Sequence, residues 1–397
     1  MEKVYIVAAK RTPIGSFGGT LKDISAGNLG SIAIKAALEQ GKVAPELVDE
    51  VIVGNVVGAG QGMGIGRQAA LYAGIPESVP AYTLNMVCGS GMKTVMDAVS
   101  HIRSGDASVV VAAGVEVMSQ IPFIVPSNIR DGHKMGNMNL TDLLINDGLT
   151  DVFNQYHMGK TAENVAREVG INREQQDEYA LASQMKAVAA IEAGKFVDEI
   201  VAVDVKKRKE TIVFDTDEYP KANATLSGLE KLRPAFEKEG TVTAGNASGI
   251  NDGASAIIVA SESAVQKHGL QPIAEIASYA QSGLNPEIMG LGPVEAVTQA
   301  LSKAEITTDD VNVYELNEAF AAQALGVIHK LAQEHDVSIS SILDKANVNG
   351  GAIALGHPLG ASGNRILVSL VHELNRSNGT YGVCLLYTSP SPRDNRV

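Results

Sequence analysis

Ser108-Val109-Val110-Val111-Ala112-Ala113-Gly114 is the stretch that decides the fold. It is apolar without a break. A strand with one wet face alternates polar and apolar residues, whereas one that stays apolar throughout is covered on both faces by helices. Working outward, residues 4–9 and 50–54 read as two more strands, and 26–39, 67–73 and 91–104 as helices. Strands alternating with helices predict an α/β fold around a largely parallel sheet.

Beyond residue 117 the pattern changes. Pro, Asn and Asp are scattered, a charged helical segment covers 172–195, and a polar, hairpin-like stretch covers 197–214. The core pattern then resumes at 251–260, 273–280, 311–316 and in a helix after Gly363. The expected division is an N-terminal half (1–117 with 244–268), an inserted loop domain (118–243), a C-terminal half (269–383) and a tail (384–397). A weak internal repeat supports two related halves: Asp49-Glu50-Val51-Ile52-Val53-Gly54-Asn55 matches Asp310-Val311-Asn312-Val313-Tyr314-Glu315-Leu316-Asn317 in pattern.

Composition narrows the function. With 397 residues, 45% hydrophobic and 19% charged, the chain is long enough for a large core or several domains. A net charge of −13 and no Lys/Arg block argue against nucleic acid as a partner, since phosphate backbones attract basic faces. No apolar run reaches the length that spans a bilayer, and the N-terminal run ends at Lys10-Arg11, too short for a signal peptide. Two cysteines far apart do not make a disulfide scaffold. A cytoplasmic, reduced protein is expected.

Several segments carry chemistry. Asn85-Met86-Val87-Cys88-Gly89-Ser90-Gly91 runs from an apolar strand through a small-residue turn into a helix. That places Cys88 on an exposed turn beside a helix N-terminus, where a thiolate is favoured, although a buried structural cysteine is the other reading. His357 lies in the run Asn347 to Gly363, rich in glycine. Neutral imidazole can accept a thiol proton there, or the loop can cradle phosphate, though it matches no dinucleotide or P-loop pattern. Asn317, in Glu315-Leu316-Asn317-Glu318-Ala319-Phe320, is by type a helix cap or a donor to an oxyanion. Thr243-Ala244-Gly245-Asn246-Ala247-Ser248-Gly249 reads as a tight turn, and Tyr156-His157-Met158-Gly159 as a polar loop entering a helix.

In order and spacing, these blocks resemble the thiolase family from Lys10-Arg11-Thr12-Pro13-Ile14-Gly15 through Gly382. The resemblance implies a layered αβαβα core of two similar halves with an inserted loop domain, in a homotetramer or homodimer. It implies an acyltransferase that condenses two acetyl-CoA to acetoacetyl-CoA, reversibly, through an acyl group on Cys88. His357 is then the residue that activates Cys88, and Asn317 the one that positions a water in an oxyanion hole. Ser248 and Ala244 match the pantetheine path. His157, Met158, Leu149, Phe236, Ala319 and Phe320 match the walls of the acyl tunnel, and Lys221 falls where relatives often carry Arg near the nucleotide. Acyl-CoA thioesters are the expected partners, with no cofactor and no metal. A degradative 3-ketoacyl-CoA thiolase of broader chain length is the alternative within the family; an acyl-CoA binder that does not condense is the alternative outside it. Ketoacyl synthases share the fold, but their paired-histidine pattern is not evident.

One departure matters. Thiolases carry a second cysteine near the C-terminus, as acid and base, in a Gly-rich turn. At the family spacing from His357 it falls on Tyr387; Cys384 lies three residues early, and the glycine that completes the acyl-enzyme oxyanion hole is missing as well. The tail from Cys384 resembles the translation of a transposase-type sequencing adapter. Natural sequence is therefore expected to stop at Val383, with Cys384 not catalytic.

Overall fold

The computed structural model describes residues 2–387. The strands that carry the architecture are β1 (Val4–Arg11), β2 (Glu50–Gly54), β3 (Ala81–Leu84), β4 (Val109–Val117), β5 (Asn251–Ser261), β6 (Ala274–Glu275), β7 (Val311–Leu316) and β8 (Tyr381–Leu385). The helices used below are α1 (Ala26–Gly41), α2 (Ile65–Tyr72), α3 (Ser90–Ser104), α4 (Met158–Val169), α5 (Arg173–Glu192), α6 (Ala321–Glu334) and α7 (Leu359–Ser377).

The first sheet runs β6-β1-β5-β4-β2-β3. Its β2, β3 and β4 pair in parallel, but β5 is antiparallel to both β1 and β4. The sheet is therefore mixed, not largely parallel as the sequence suggested. Strand–helix–strand crossovers impose parallel pairing on consecutive strands. β5 arrives from the long insertion instead, so no crossover helix fixes its direction.

Both faces of this sheet are dry. Val109, Val111, Ala113 and Val115 of β4 pack with Leu29, Ala33 and Ile34 of α1 and Ala69 of α2. Val110 and Ala112 pack on the other side with Val95 and Val99 of α3 and Val368 of α7. In β1, Val4 and Ile6 face α3, whereas Ala8 faces α1 and Ala9 turns back. A bulge between Ile6 and Ala8 resets the alternation by one residue.

Parallel β7 and β8 form the second sheet, with Val311 opposite Tyr381 and Leu316 opposite Leu385. α7 touches both sheets and so lies between them. On the far side, Ala324, Val327 and Leu331 of α6 pack on Val311, Tyr314 and Leu316. The layers are helix, sheet, helix, sheet, helix, the αβαβα order the resemblance implied.

Of residues 273–280, Ala274 and Glu275 pair, with Ile6 and Tyr5. The last long helix begins at Leu359, ahead of Gly363, with Pro358 as its N-cap. The charged segment is α5, closed by a reciprocal cap between Asn172 and Gln175, and the polar stretch is a hairpin of Val203–Lys206 and Thr211–Phe214. Arg11 holds the insertion against β1: its guanidinium, fully buried, reaches Glu199 at 2.6 Å and Asp217 at 2.8 and 2.9 Å. Of the tail, Cys384 and Leu385 belong to β8, and Leu385 and Tyr387 are buried; residues 388–397 lie outside the described residues.

Candidate active site

Between β3 and α3 the chain makes a tight turn around Cys88. Val87 sits at φ +46°, a costly conformation for a β-branched residue. Hydrogen bonds hold it there: Val87 N donates to Asn85 Oδ1 at 2.9 Å, while Ser90 Oγ accepts from Met86 N at 2.8 Å and donates to Val87 O at 2.6 Å. Cys88 thus lies two residues ahead of α3, at the positive end of its dipole. It is not exposed, as the turn alone suggested, but 4% exposed. It shares one buried apolar cluster with Val56, Met118, Leu144, Met158, Phe320 and Tyr387, three of them from the insertion.

His357 is also buried. Its backbone N–H donates to Asn251 Oδ1 at 3.0 Å, and Asn251 Nδ2 donates in turn to Gly15 O at 3.1 Å. Gly356, at φ +106°, leaves no room for a side chain, since a Cβ there would meet the Asn251 amide. Burial, with the nearby Arg365 charge, lowers the imidazole pKa to about 3. The ring is neutral and able to accept a proton.

Asn317 caps no helix, because α6 starts at Ala321 after Phe320. Its backbone N–H donates to Leu385 O at 3.0 Å, while among the described residues its fully buried amide meets no partner in good hydrogen-bonding geometry at Oδ1 or Nδ2, with only the Tyr387 hydroxyl near enough to feel it. An unpartnered buried amide is costly unless a water or ligand completes it. Its neighbour Glu318 faces away and ties the segment to Asn347, Ser183 and Ile353 N.

Tyr387 joins these residues. Its hydroxyl is 3.4 Å from His357 Nε2. Burial, then the charge and hydrogen bond of Cys88, push its pKa up, with Asn317 acting weakly the other way. The position counted from the family spacing is therefore inside the reaction centre. Cys384 is not: it lies on β8 opposite Glu315, and burial raises its pKa well above the usual thiol range.

The expected tunnel walls assemble around this centre. Met158, Ala319 and Phe320 share the apolar cluster of Cys88, and Leu149 and Phe236 pack against it. The His157 ring stacks on Phe236 at 4.6 Å, and its Nδ1 accepts from Gly159 N at 3.0 Å; burial lowers its pKa. Phe236 meets Phe320 edge-on at 6.1 Å. Ser248 N donates to Ala319 O at 2.8 Å, which seats that turn beside the cluster. Ala244 and Lys221 are exposed and stand outside it, with Lys221 Nζ over the Tyr219 ring at 5.5 Å.

Reading the sequence missed Asn251, Ser362 and Glu116, which hold His357 and the start of α7. Ser362 carried a usable signal: a hydroxyl on the first helical turn after a His-Pro pair. Among the described residues, no group of three or more His, Cys, Asp or Glu side chains could hold a metal, and no helix is long and apolar enough to cross a membrane.

A buried thiol at a helix start, a neutral imidazole and an open amide in one apolar pocket define an acyl-transfer site of the cysteine type. The chain belongs to the thiolase family: residues 4–263 match the thiolase N-terminal domain and residues 270–389 the thiolase C-terminal domain. It is 55% identical to an acetyl-CoA acetyltransferase of Chromobacterium violaceum, over 97% of this chain and 96% of the relative. A human mitochondrial 3-ketoacyl-CoA thiolase in complex with CoA superposes with a TM-score of 0.91 at 47% identity, covering 98% of this chain and 95% of the other. An acetyl-CoA acetyltransferase of Syntrophomonas wolfei gives 0.95 at 38% identity, covering 98% and 97%.

Proposed function

We propose that this thiolase is an acetyl-CoA acetyltransferase, joining two acetyl-CoA to acetoacetyl-CoA through an acyl group on Cys88. The observation that carries this reading is the single buried cluster in which Cys88 lies with Met158, with Ala319 and Phe320 just after Asn317, and with Leu359 just after His357, so that the separate motifs share one centre. In the first half-reaction His357 Nε2 takes the Cys88 proton, the thiolate attacks the thioester carbonyl, and the carbon–sulfur bond to coenzyme A breaks as Nε2 returns the proton, so that coenzyme A leaves as the thiol. In the second, the enolate of another acetyl-CoA attacks the acyl group. A water held by Asn317 is suited to stabilise that enolate oxygen. Ser248, Ala244 and Lys221 are assigned to coenzyme A, and Leu149, His157, Met158, Phe236, Ala319 and Phe320 to the walls of the acyl and pantetheine tunnel. No metal or redox group is needed for these steps.

Removal of the α-proton is the weak point. A phenol whose pKa lies well above the usual range is a poor base at neutral pH. We therefore expect acylation of Cys88 to proceed and condensation to be slow. Mass spectrometry after mixing with acetyl-CoA tests the first half: an acetyl adduct on Cys88 is expected, and its absence would reduce the chain to a binder of acyl-CoA.

The 3-ketoacyl-CoA thiolase among the structural relatives keeps a broader chain length as the second reading. Thiolysis of acetoacetyl-CoA against a long 3-ketoacyl-CoA separates the two. A cytoplasmic homotetramer or homodimer is proposed as well; Phe123, Met135 and Leu140 in the insertion expose apolar surface that a second copy could cover.

A further inference from the structure

Ser362 lies on the first turn of α7, five residues after His357, and is fully buried. Its Oγ donates to Pro358 O at 2.9 Å, the backbone carbonyl one helical turn earlier. The same Oγ is 2.6 Å from His357 Nδ1. A serine hydroxyl has one proton to give. With that proton on Pro358 O, Oγ can only accept from Nδ1, so Nδ1 carries the ring hydrogen and Nε2 keeps its lone pair.

We propose that Ser362 is a positioning residue that holds His357 in the Nδ1–H tautomer and turns the Nε2 lone pair toward Cys88 and Tyr387. The geometry divides the work. Asn251 fixes the His357 backbone through its N–H, and Ser362 fixes the ring. Without the hydroxyl the ring can rotate or carry its hydrogen on Nε2. In that tautomer the atom facing the reaction centre is a donor and cannot take a thiol proton. The other candidate orienter, Tyr387, meets Nε2 at 3.4 Å, too long to set the ring by itself. The inference rests on the acyl-transfer reading of Cys88 and His357, and its test separates the two.

Nitrogen-15 NMR of the histidine-labelled full chain reads the tautomer directly. The expected result is a pyridine-like shift for His357 Nε2 and a pyrrole-like shift for Nδ1; the reverse overturns the proposal whatever any variant does. Quenched-flow measurement of Cys88 acetylation then reads the consequence. Ser362→Ala should slow acetylation by about 10–100-fold, the range for losing the partner that orients a metal-bound histidine, with KM for acetyl-CoA nearly unchanged. Ser362→Thr, which keeps the hydroxyl, should acetylate faster than Ser362→Ala. A folded Ser362→Ala chain that acetylates at the unaltered rate overturns the proposal; if that variant does not fold, the NMR result on the unaltered chain decides. If Cys88 of the unaltered chain takes no acetyl group at all, the acyl-transfer reading fails, and the ring shifts still decide the tautomer.

Discussion

The Tyr387 hydroxyl stands 3.4 Å from His357 Nε2, in the position where the family spacing calls for a cysteine. It occupies the acceptor side of the imidazole and interacts with Cys88 without supplying a base of matched pKa. Among the described residues the groups proposed for acyl transfer are therefore present, and Tyr387 is a poor stand-in for the base of the carbon–carbon step.

Tyr387→Cys should raise the condensation of acetyl-CoA by roughly 10²–10⁴-fold, the range general acid–base catalysis contributes. Acetylation of Cys88 should change far less, because His357 serves that step. Acetoacetyl-CoA formation, measured beside the acetyl adduct, checks this. Equal condensation rates in the two chains would mean that another group removes the α-proton.

The pH dependence of acylation follows from His357. Its pKa is lowered to about 3, so the ring stays neutral through ~6.5, where a solvated histidine titrates, and gains a proton only toward about 3. Acetylation of Cys88 should show no ascending limb between pH 5 and 7 that belongs to the imidazole. A limb near ~6.5 that disappears in His357→Asn would show that the ring is solvated in solution. The depressed pKa also has a sign for stability. The unfolded ring gains a proton below ~6.5 while the folded one does not, so stability is lost as pH falls from there toward about 3.

How much of this was legible in the sequence depends on what each feature needs. β4 was legible because burial on both faces leaves an unbroken apolar run. Cys88 and His357 stood out as candidates because glycines and a following helix mark their turns locally, whereas Asn317, at a strand end without glycines, gained its role from the family resemblance. The direction of β5 was not, since antiparallel and parallel buried strands alternate their side chains in the same way. Nor was the flip in β1, which depends on a bulge against β5. The burial of Cys88 was hidden because Leu144 and Met158, more than fifty residues on, supply its cover. Counting from His357 leads to Tyr387, whose hydroxyl lies 3.4 Å from that ring, because α7 and β8 keep the spacing rigid.

Arg11 is where the insertion is most sensitive. Its guanidinium is fully buried between Glu199 and Asp217; burial opposes the charge, and the two carboxylates hold it on. Removing one partner of a buried ion network leaves the others uncompensated. Arg11→Ala should destabilise the fold by about 3–5 kcal/mol. Denaturant unfolding of the two chains measures it; a loss below ~1 kcal/mol would mean that the network behaves as an exposed one.

Glu116 gives a prediction that links stability to the site. Its carboxylate is fully buried and accepts from Val56 N at 2.9 Å, Val57 N at 3.2 Å, Gly360 N at 2.8 Å and Asn55 Nδ2 at 3.1 Å. Every one of these neighbours is a donor, so each oxygen is wanted as an acceptor. Burial nevertheless raises the pKa to about 7, against the pull of those N–H groups. The folded pKa stands above the unfolded value of ~4.3, so the folded state binds more protons between them, and this contribution to stability falls as pH rises from ~4.3 through 7. Glu116→Gln removes that slope and also turns an amide N–H₂ toward backbone donors, which costs about 1–3 kcal/mol. Because Gly360 N anchors the first turn of α7, the same change should loosen His357 and slow acetylation of Cys88. The expected outcome is a lower Tm at pH 5 and a flatter Tm profile between pH 5 and 8 than the unaltered chain shows. Parallel profiles would mean that Glu116 stays ionised throughout, held by its four donors, and that the pH dependence in this range comes from another buried carboxylate, with Glu315, whose pKa burial raises to about 8, as the next to change.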